Sequence, residues 1–405
     1  MGLVVLKFGG TSVSTVDKIG KTADQAIYEK KQGNKVIVVV SAMGKSTDKL
    51  VAMAEEISEL PDKREMDMLL STGEQITISL LAMTLKEKGH DAISYTGWQA
   101  GIETEAVHSN ARIVDIDSAR IESALDAGQI VVVVAGFQGL TADGEITTLG
   151  RGGSDTTAVA IASALKAEKC AICTDVVGVF TTDPRYVKKA QKLEQITYDE
   201  MLELANLGAG VLHPRSVEYA KNFRIPLEVR ASHEQVSGTM IEEDLTMENT
   251  KVVRGIAFED QITRVTIHWK QKEAMRVSKV FTKLAENNID VDIIIQGITG
   301  LGHGNLSFTI KTSALLSTLA VLEESKELLQ IEKLESEQEL AKVSIVGSGM
   351  VSNPGVAAQM FEALTENNIP IKMISTSEIK VSTVVPARKM VEAAQILHDQ
   401  FDLDK

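Results

Sequence analysis

The 405-residue chain is predicted to be an α/β protein: a three-layer domain around a mainly parallel sheet, followed by two small α+β modules. Two observations carry this. From Leu3 to about Glu243, short β-branched runs alternate with helical patterns, as in a sheet covered by helices on both faces. The remainder contains an internal repeat, and a chain of this length is expected to divide into two or three domains. The implied organisation is 1–245 for the α/β domain, 246–335 for a linker and first module, and 336–405 for the second module.

Five runs give the clearest strands: LVVLKF, KVIVVVS, DAISYT, QIVVVVAGF and CAICTDVVGVF. Their apolar residues are continuous rather than alternating, which suits strands buried on both faces. Thr15 to Lys31 and Asp155 to Leu165 have apolar residues at three-to-four spacing and read as helices, and Asp143-Gly144 marks a hairpin turn. The polar stretch EDLTMENTK, from Glu243, reads as a linker. Beyond it RVTIHW matches KVSIVG, VFTKLAENNIDVDIII matches MFEALTENNIPIKMIS, and NLSFTI matches IKVSTVV. Each copy reads strand, helix, strand, strand. A spacing of about 80 residues is too long for a solenoid unit, so the copies are expected to pack as two small modules side by side.

Hydrophobic residues make up 44% and charged residues 24%, with only seven prolines, so no disordered tract is expected. The apolar run Leu3 to Leu6 lacks a basic lead and is cut by Lys7, unlike a signal peptide. No stretch approaches the roughly 20 apolar residues of a membrane span, and a cytoplasmic location is the expectation. A net charge of −14 without a basic block argues against nucleic acid or anionic membrane as a partner. An anionic substrate must then be met by local groups. Cys170 and Cys173 have C-x-x-C spacing, but residues three apart on a strand face opposite sides and cannot clamp one ion.

Three glycine- or turn-rich segments carry candidate chemistry. In LKFGGTS a strand ends in Lys7, Phe8, Gly9 and Gly10 just before a helical pattern, which suits phosphate, although Gly-Gly after a strand is often only a turn. It is not a Walker A loop, because the lysine precedes the glycines. In GRGGSDTTA, Arg151 offers a planar fork for a carboxylate beside Gly152, Gly153, Ser154 and Asp155, while Ser154 or Asp155 could instead be a helix cap. TDVVGVFTTDPR brings Thr174, Asp175, Asp183 and Arg185 to a strand end and turn, and Asp-Pro is also a common turn starter. Ser41 and Thr47 in SAMGKST, and Glu74 in STGEQ, sit at other element ends. Ligands of open α/β sheets bind beyond the carboxyl ends of the strands, where most of these groups fall.

These segments, with GVLHPRSVE, occur in the order found in aspartokinases, and the chain resembles a monofunctional member of that group in the amino acid kinase superfamily. SIVGSGMVSNPGVAA and STSEIKVS resemble its paired, ferredoxin-like ACT modules. The resemblance implies ATP-dependent phosphorylation of the β-carboxylate of L-aspartate, the first step toward lysine, threonine and methionine. It implies that Lys7 and Asp155 are catalytic, with Lys7, Phe8, Gly9 and Gly10 on the phosphates and Asp155 orienting the cationic groups. Thr174, Asp175, Phe180, Asp183, Arg185, Gly210 and Val211 would line the nucleotide site. Arg151 would bind the aspartate α-carboxylate and Glu74 its ammonium, with Ser41, Thr47, Gly152, Gly153 and Ser154 completing the pocket. Mg²⁺ would be held largely through phosphate oxygens, with no dedicated protein cluster.

Two departures stand out: Gly210 replaces a lysine common in relatives, leaving one cationic contact to ATP open, and Phe180 replaces a common tyrosine. In the second repeat, GSGMVSNPG opens a helix near Gly355, a loop suited to an amino-acid carboxylate. It also mimics a dinucleotide fingerprint, but Ser352 replaces the third glycine and Asn353-Pro354 follows. The resemblance implies an amino-acid effector, lysine with threonine as a second candidate, at Gly349, Met350, Ser352, Asn353, Val356, Thr376 and Glu378. Asp292 and Gln296 are the corresponding candidates of the first repeat, which departs from the pattern in WKQKEAMRV and QGITG. Self-association through the ACT modules is implied, and Met240 and Met247 could start a shorter regulatory subunit. A glutamate or carbamate kinase and a catalytically silent amino-acid sensor are the alternatives.

Overall fold

The computed structural model describes residues 2–134, 136–207, 210–243, 251–269, 276–298 and 304–405. β1 (Leu3–Phe8) leads through a 3-10 turn, Gly10–Val13, to α1 (Val16–Lys31). The glycine pair therefore opens onto a 3-10 turn rather than the α-helix, which starts only where the Thr15 hydroxyl accepts from Lys18 N. β2 (Lys35–Val40), α2 (Ser46–Glu55), α3 (Lys63–Glu87), β3 (Ala92–Tyr95), β4 (Ile102–Thr104), β5 (Ile113–Ile116), α4 (Ala119–Asp126) and β6 (Ile130–Val134) follow. Then come β7 (Gln138–Leu140) and β8 (Ile146–Thr148), the expected hairpin, with Gly144 at φ 85 in its turn. α5 (Gly153–Ala164), β9 (Lys169–Thr174), β10 (Gln195–Thr197), α6 (Tyr198–Asn206), α7 (Pro214–Phe223), β11 (Leu227–Ala231) and β12 (Thr239–Glu242) complete this half.

Eight strands form one sheet in the order β10-β12-β11-β9-β1-β2-β6-β3, parallel except between β11 and β12. β5-β4-β7-β8 make a small second sheet. Val4, Leu6 and Phe8 of β1 bury against α1 and α3, and α5 packs on β1, β9 and β2. Cys173 belongs to the α1/α3 core and Cys170 does not, as the strand period requires; both are buried free thiols, which burial pushes up. The strand expected over CAICTDVVGVF stops at Thr174, where bends take over, and Phe180 keeps only an isolated bridge to Lys192.

Contrary to the sequence expectation, one helix among the described residues, α3, is long and apolar enough by length and composition to cross a membrane. Half of its apolar window is buried in the domain, and its buried positions include Asp67 and Glu74. It is the core helix of this layer.

The chain divides into two compact units, and Thr181–Gln191 belongs to the second although it lies in the middle of the first in sequence. The second unit contains β13 (Gly255–Trp269), α8 (Val277–Glu286), β14 (Ile294–Ile298), β15 (Gly304–Lys311), α9 (Leu315–Glu324), α10 (Lys326–Leu329), β16 (Lys333–Val346), α11 (Val356–Glu366), β17 (Met373–Thr376), β18 (Lys380–Pro386) and α12 (Met390–Gln400). The first repeat thus adds α9 and α10, and the second adds α12, to the expected strand, helix, strand, strand. The antiparallel sheet order is β14-β15-β13-β16-β18-β17.

β13 and β16 are shared by the two modules. The register shifts between Glu259 and Arg264, beside Gln261 and Glu339 at φ 55 and 57. On one side of this break Val265, Ile267, Leu284 and Phe308 form a core, and on the other Ile256, Val343, Met360 and Leu397 form a second. The expected boundary at 335 and 336 falls inside β16, while the one at 245 and 246 lies outside the described residues, as does most of the linker. Thr181–Gln191 is built into the second core: Val187 joins it, Thr181 O accepts from Ile256 N at 2.7 Å, and the Thr181 hydroxyl meets His398 Nε2 at 3.0 Å.

Lys342 is buried at the junction of the modules, on Glu259 at 3.0 Å and on Asp292. Lys342→Ala leaves two carboxylates without their common cation and should lower the stability of this unit by about 2 kcal/mol. Urea unfolding followed by tryptophan fluorescence reports this, since Trp269 is buried in the first module. A loss below about 0.5 kcal/mol would mean that the junction does not depend on the pair.

Candidate active site

β1 lies between β2 and β9, where the order of connections reverses, and the loops beyond the carboxyl ends of these three strands converge. Lys7 alternates with Leu6 and Phe8 and so faces α5 rather than the α1/α3 core. Its ammonium meets Asp155 Oδ1 at 2.6 Å, with the side chains 12% and 13% exposed. Asp155 stands in the first turn of α5, where the helix dipole favours an anion.

The cap of α5 is Gly152 at φ 69, so neither Ser154 nor Asp155 fills that role. Both are released for other contacts. The Ser41 hydroxyl, one residue past β2, donates to Ser154 Oγ at 3.0 Å, and Ser154 Oγ donates to Gly136 O at 3.3 Å. Gly152 is required twice over, by its positive φ and because an added Cβ would lie 2.2 Å from the His213 ring carbon. Arg151, between the left-handed Gly150 and Gly152, is exposed and has no ion-pair partner among the described residues.

Glu74 lies in the middle of α3, on its buried face, rather than at an element end as expected, and accepts from Ala42 N through Oε1 at 3.1 Å. Its Oε2 is buried without a hydrogen-bond partner among the described residues, and burial pushes the carboxyl up to about 7. A buried carboxylate with one free oxygen is the chemical complement of a small cation. Thr47 stands half-buried in the first turn of α2. Gly10 allows a close approach of the β1 and β2 loops, since a Cβ there would lie 2.8 Å from Ala42 O, and Gly44 N donates to Gly10 O at 2.9 Å. A Cβ on Gly9 would stand 3.4 Å from Lys7 Nζ.

The nucleotide candidates are divided. Thr174 ends β9, its hydroxyl donating to Asp175 at 3.1 Å and its carbonyl accepting from Ser232 N at 2.8 Å. Asp183 and Arg185 belong to the second unit and pair with each other at 2.6 Å; the Arg185 hydrogen bond holds Asp183 below the usual carboxylate range. Gly210 is exposed at φ 66 and supplies no cation, and Val211 follows it half-buried.

The effector candidates also separate. Asp292 immediately precedes β14 and Gln296 lies within it, Thr376 ends β17 and Glu378 follows it, and β14 and β17 are opposite edges of the six-stranded sheet. A single chain therefore does not bring these sets together. Asp292 is already paired with Lys342. Gly349, Met350 and Ser352 lie in a 3-10 turn, Asn353 donates to Gly349 O at 2.8 Å, and Val356 is a core residue rather than a free contact. Sequence reading missed His213, which lies against Gly152, and Asp67 and Arg215, which bond to Thr148 and Leu149 just before Arg151. The only signals were the His-Pro-Arg step and an acidic residue on the apolar face of α3.

The amino acid kinase family matches residues 2–231 and the ACT domain family residues 343–401. Aspartokinase 2 of Bacillus subtilis (strain 168) is 66% identical over 405 residues, covering 100% of this chain and 99% of that protein. The structure of E. coli aspartokinase III in complex with aspartate and ADP, its R-state, superposes with a TM-score of 0.81 at 28% identity, covering 98% of this chain and 99% of that one. Its T-state complex with lysine and aspartate gives 0.77 at 29% identity, with the same coverage. The chain belongs to the amino acid kinase family and, within it, to the aspartokinases.

Gly152→Ala should destabilise the first unit by about 2 kcal/mol or more, from a positive φ and the His213 ring together. Adding His213→Ala removes the steric part and should recover about half of the loss. Urea unfolding of the two single variants and the double measures this, and strictly additive losses would show that the ring does not oppose the new methyl.

Proposed function

We propose that the chain transfers the γ-phosphoryl of ATP to the β-carboxylate of L-aspartate, giving 4-phospho-L-aspartate and ADP. The observation that carries this is the Lys7–Asp155 pair at the reversal point of the sheet, with an exposed Arg151, unpaired among the described residues, four residues before Asp155. E. coli aspartokinase III holds aspartate and ADP in its R-state complex.

The β-carboxylate is ionised at neutral pH and needs no strong base. A carboxylate oxygen forms a bond to the γ-phosphorus as the bond to the bridging oxygen of ADP breaks. The task of the protein is to bring two anions together, so charge neutralisation and positioning dominate. Lys7 supplies positive charge, and Asp155 orients it. Arg151 suits the α-carboxylate, and the free Glu74 Oε2 suits the ammonium. Mg²⁺ fits as an ion carried in by the ATP phosphates, with Asp155 the carboxylate beside Lys7 that could hold it. It would neutralise phosphate charge.

The ACT modules are the regulatory part, with lysine as effector and threonine as a second candidate; the T-state complex of E. coli aspartokinase III contains lysine. Ile294, Ile295 and Ile374, on the two edge strands, are 49%, 38% and 40% exposed. Pairing of two copies through these edges gives the modules a means of self-association and offers the separated effector groups a common site.

Incubation with MgATP, hydroxylamine and aspartate, glutamate or carbamate tests the activity: hydroxamate and ADP should form with aspartate, and formation with glutamate alone would overturn the reading. In the same assay the aspartate KM should rise as pH falls from 8 to 6. Protonation of Glu74 near pH 7 removes the charge that holds the ammonium, so the rise should approach tenfold per unit below that value. Glu74→Gln should give a high, pH-flat KM. For regulation, Ser352→Ala and Glu378→Gln should weaken inhibition by lysine while leaving the uninhibited kcat within about twofold. Inhibition curves unchanged in both variants would remove the second repeat from effector binding.

A further inference from the structure

The loop that presents Arg151 is gripped from two sides by charged residues that belong to neither the phosphate nor the substrate motif. Asp67, fully buried on α3, accepts four hydrogen bonds: from Thr148 Oγ1 at 2.6 Å, from His108 Nδ1 at 2.8 Å, and from Ser109 N at 3.0 and 3.2 Å. From the N-terminus of α7, Arg215 donates to Leu149 O at 2.9 Å and to Ala111 O at 2.8 Å. Ala111 N in turn donates to Thr148 O at 2.9 Å. Both residues therefore hold the same two strands of chain, 108–111 and 148–149.

Gly150 comes next and rests on this pair of strands, since a Cβ on it would lie 3.0 Å from Asn110 Oδ1 and 3.1 Å from Ser109 O. Arg151 follows directly. A fully buried carboxylate is costly unless its bonds are made, and here every bond goes to the segments that seat Gly150. Arg215 spends its fork on two backbone carbonyls rather than on an acid, which fixes main chain and not charge.

We infer that Asp67 and Arg215 are positioning residues for the substrate fork: together they fix the backbone before Arg151 so that its guanidinium meets the α-carboxylate of the substrate. The inference rests on the substrate role proposed for Arg151. A fork must match its carboxylate within a fraction of an ångström, so loosening its base should weaken ground-state capture of the amino acid rather than of ATP.

The test is a kinetic double-mutant cycle on the full chain with MgATP and aspartate, using Asp67→Asn and the milder Thr148→Val, each alone and combined with Arg151→Lys. Thr148→Val removes one hydroxyl from Asp67 without changing volume much, and keeps the question answerable where Asp67→Asn folds poorly. Each single clamp variant should raise the aspartate KM about tenfold for Asp67→Asn and about threefold for Thr148→Val, with the ATP KM within twofold. On the Arg151→Lys background neither should add more than about twofold, because the fork they position is already gone. Arg215→Lys, which loses the two-carbonyl grip, should behave like Asp67→Asn. Equal rises in both KM values, or full multiplicative effects on the Arg151→Lys background, would show a general structural role and overturn the inference. An unchanged aspartate KM in Arg151→Lys itself overturns the substrate role of Arg151. A raised KM there, with unchanged values in the clamp variants, overturns only the clamp.

Discussion

The contact between Lys7 and Asp155 is the constraint on which the catalytic half is organised. Two largely buried opposite charges gain attraction but lose hydration, so such a pair adds little net stability. Its value is placement. It joins the end of the central strand to the first turn of α5 and so sets the approach of the Gly-Gly loop to the Arg-Gly-Gly loop. For α5 to begin at Gly153, Gly152 must adopt φ 69 under the His213 ring, and that bend leaves Ser154 free to meet Ser41. The Ser41–Ser154 hydrogen bond, the left-handed glycine and the exposed Arg151 all follow from where α5 begins.

Around that point the first unit uses buried charge as scaffolding. Asp67 and Glu74 lie seven residues apart on α3, hence on one face, and both are buried. Asp67 is satisfied by three donors, one of them shared between its two oxygens, while Glu74 keeps one oxygen free among the described residues and has its carboxyl pushed up to about 7. The same residue class on the same helix face thus does two jobs, and the number of available donors decides which.

The second unit is organised differently. Two modules share β13 and β16, and the bulge near Gln261 and Glu339 separates their cores while Lys342 ties them together. A change in either module must therefore be felt through two continuous strands. Thr181–Gln191, which contains part of a motif assigned to the nucleotide, is packed into the second of these cores by Val187, Thr181 and the edge-on Tyr186–Phe258 contact at 5.4 Å.

The sequence by itself determined the alternation of strands and helices, the parallel sheet, the hairpin at Gly144 and the repeat, because each rests on local periodicity and turn chemistry. It also marked Lys7, Arg151 and Asp155, since glycine loops with charged residues are visible without neighbours, and it marked Glu74 while misplacing it at an element end rather than within α3. Only the tertiary structure decided what those residues touch. That Asp155 faces Lys7, that Gly152 lies under His213, and that Asp67 and Arg215 grip the same two segments depend on residues tens of positions apart in sequence. The division of TDVVGVFTTDPR between two units, the strands common to both modules, and the separation of Asp292 from Glu378 to opposite edges of a sheet are decided by long-range strand pairing, whose register no local pattern encodes.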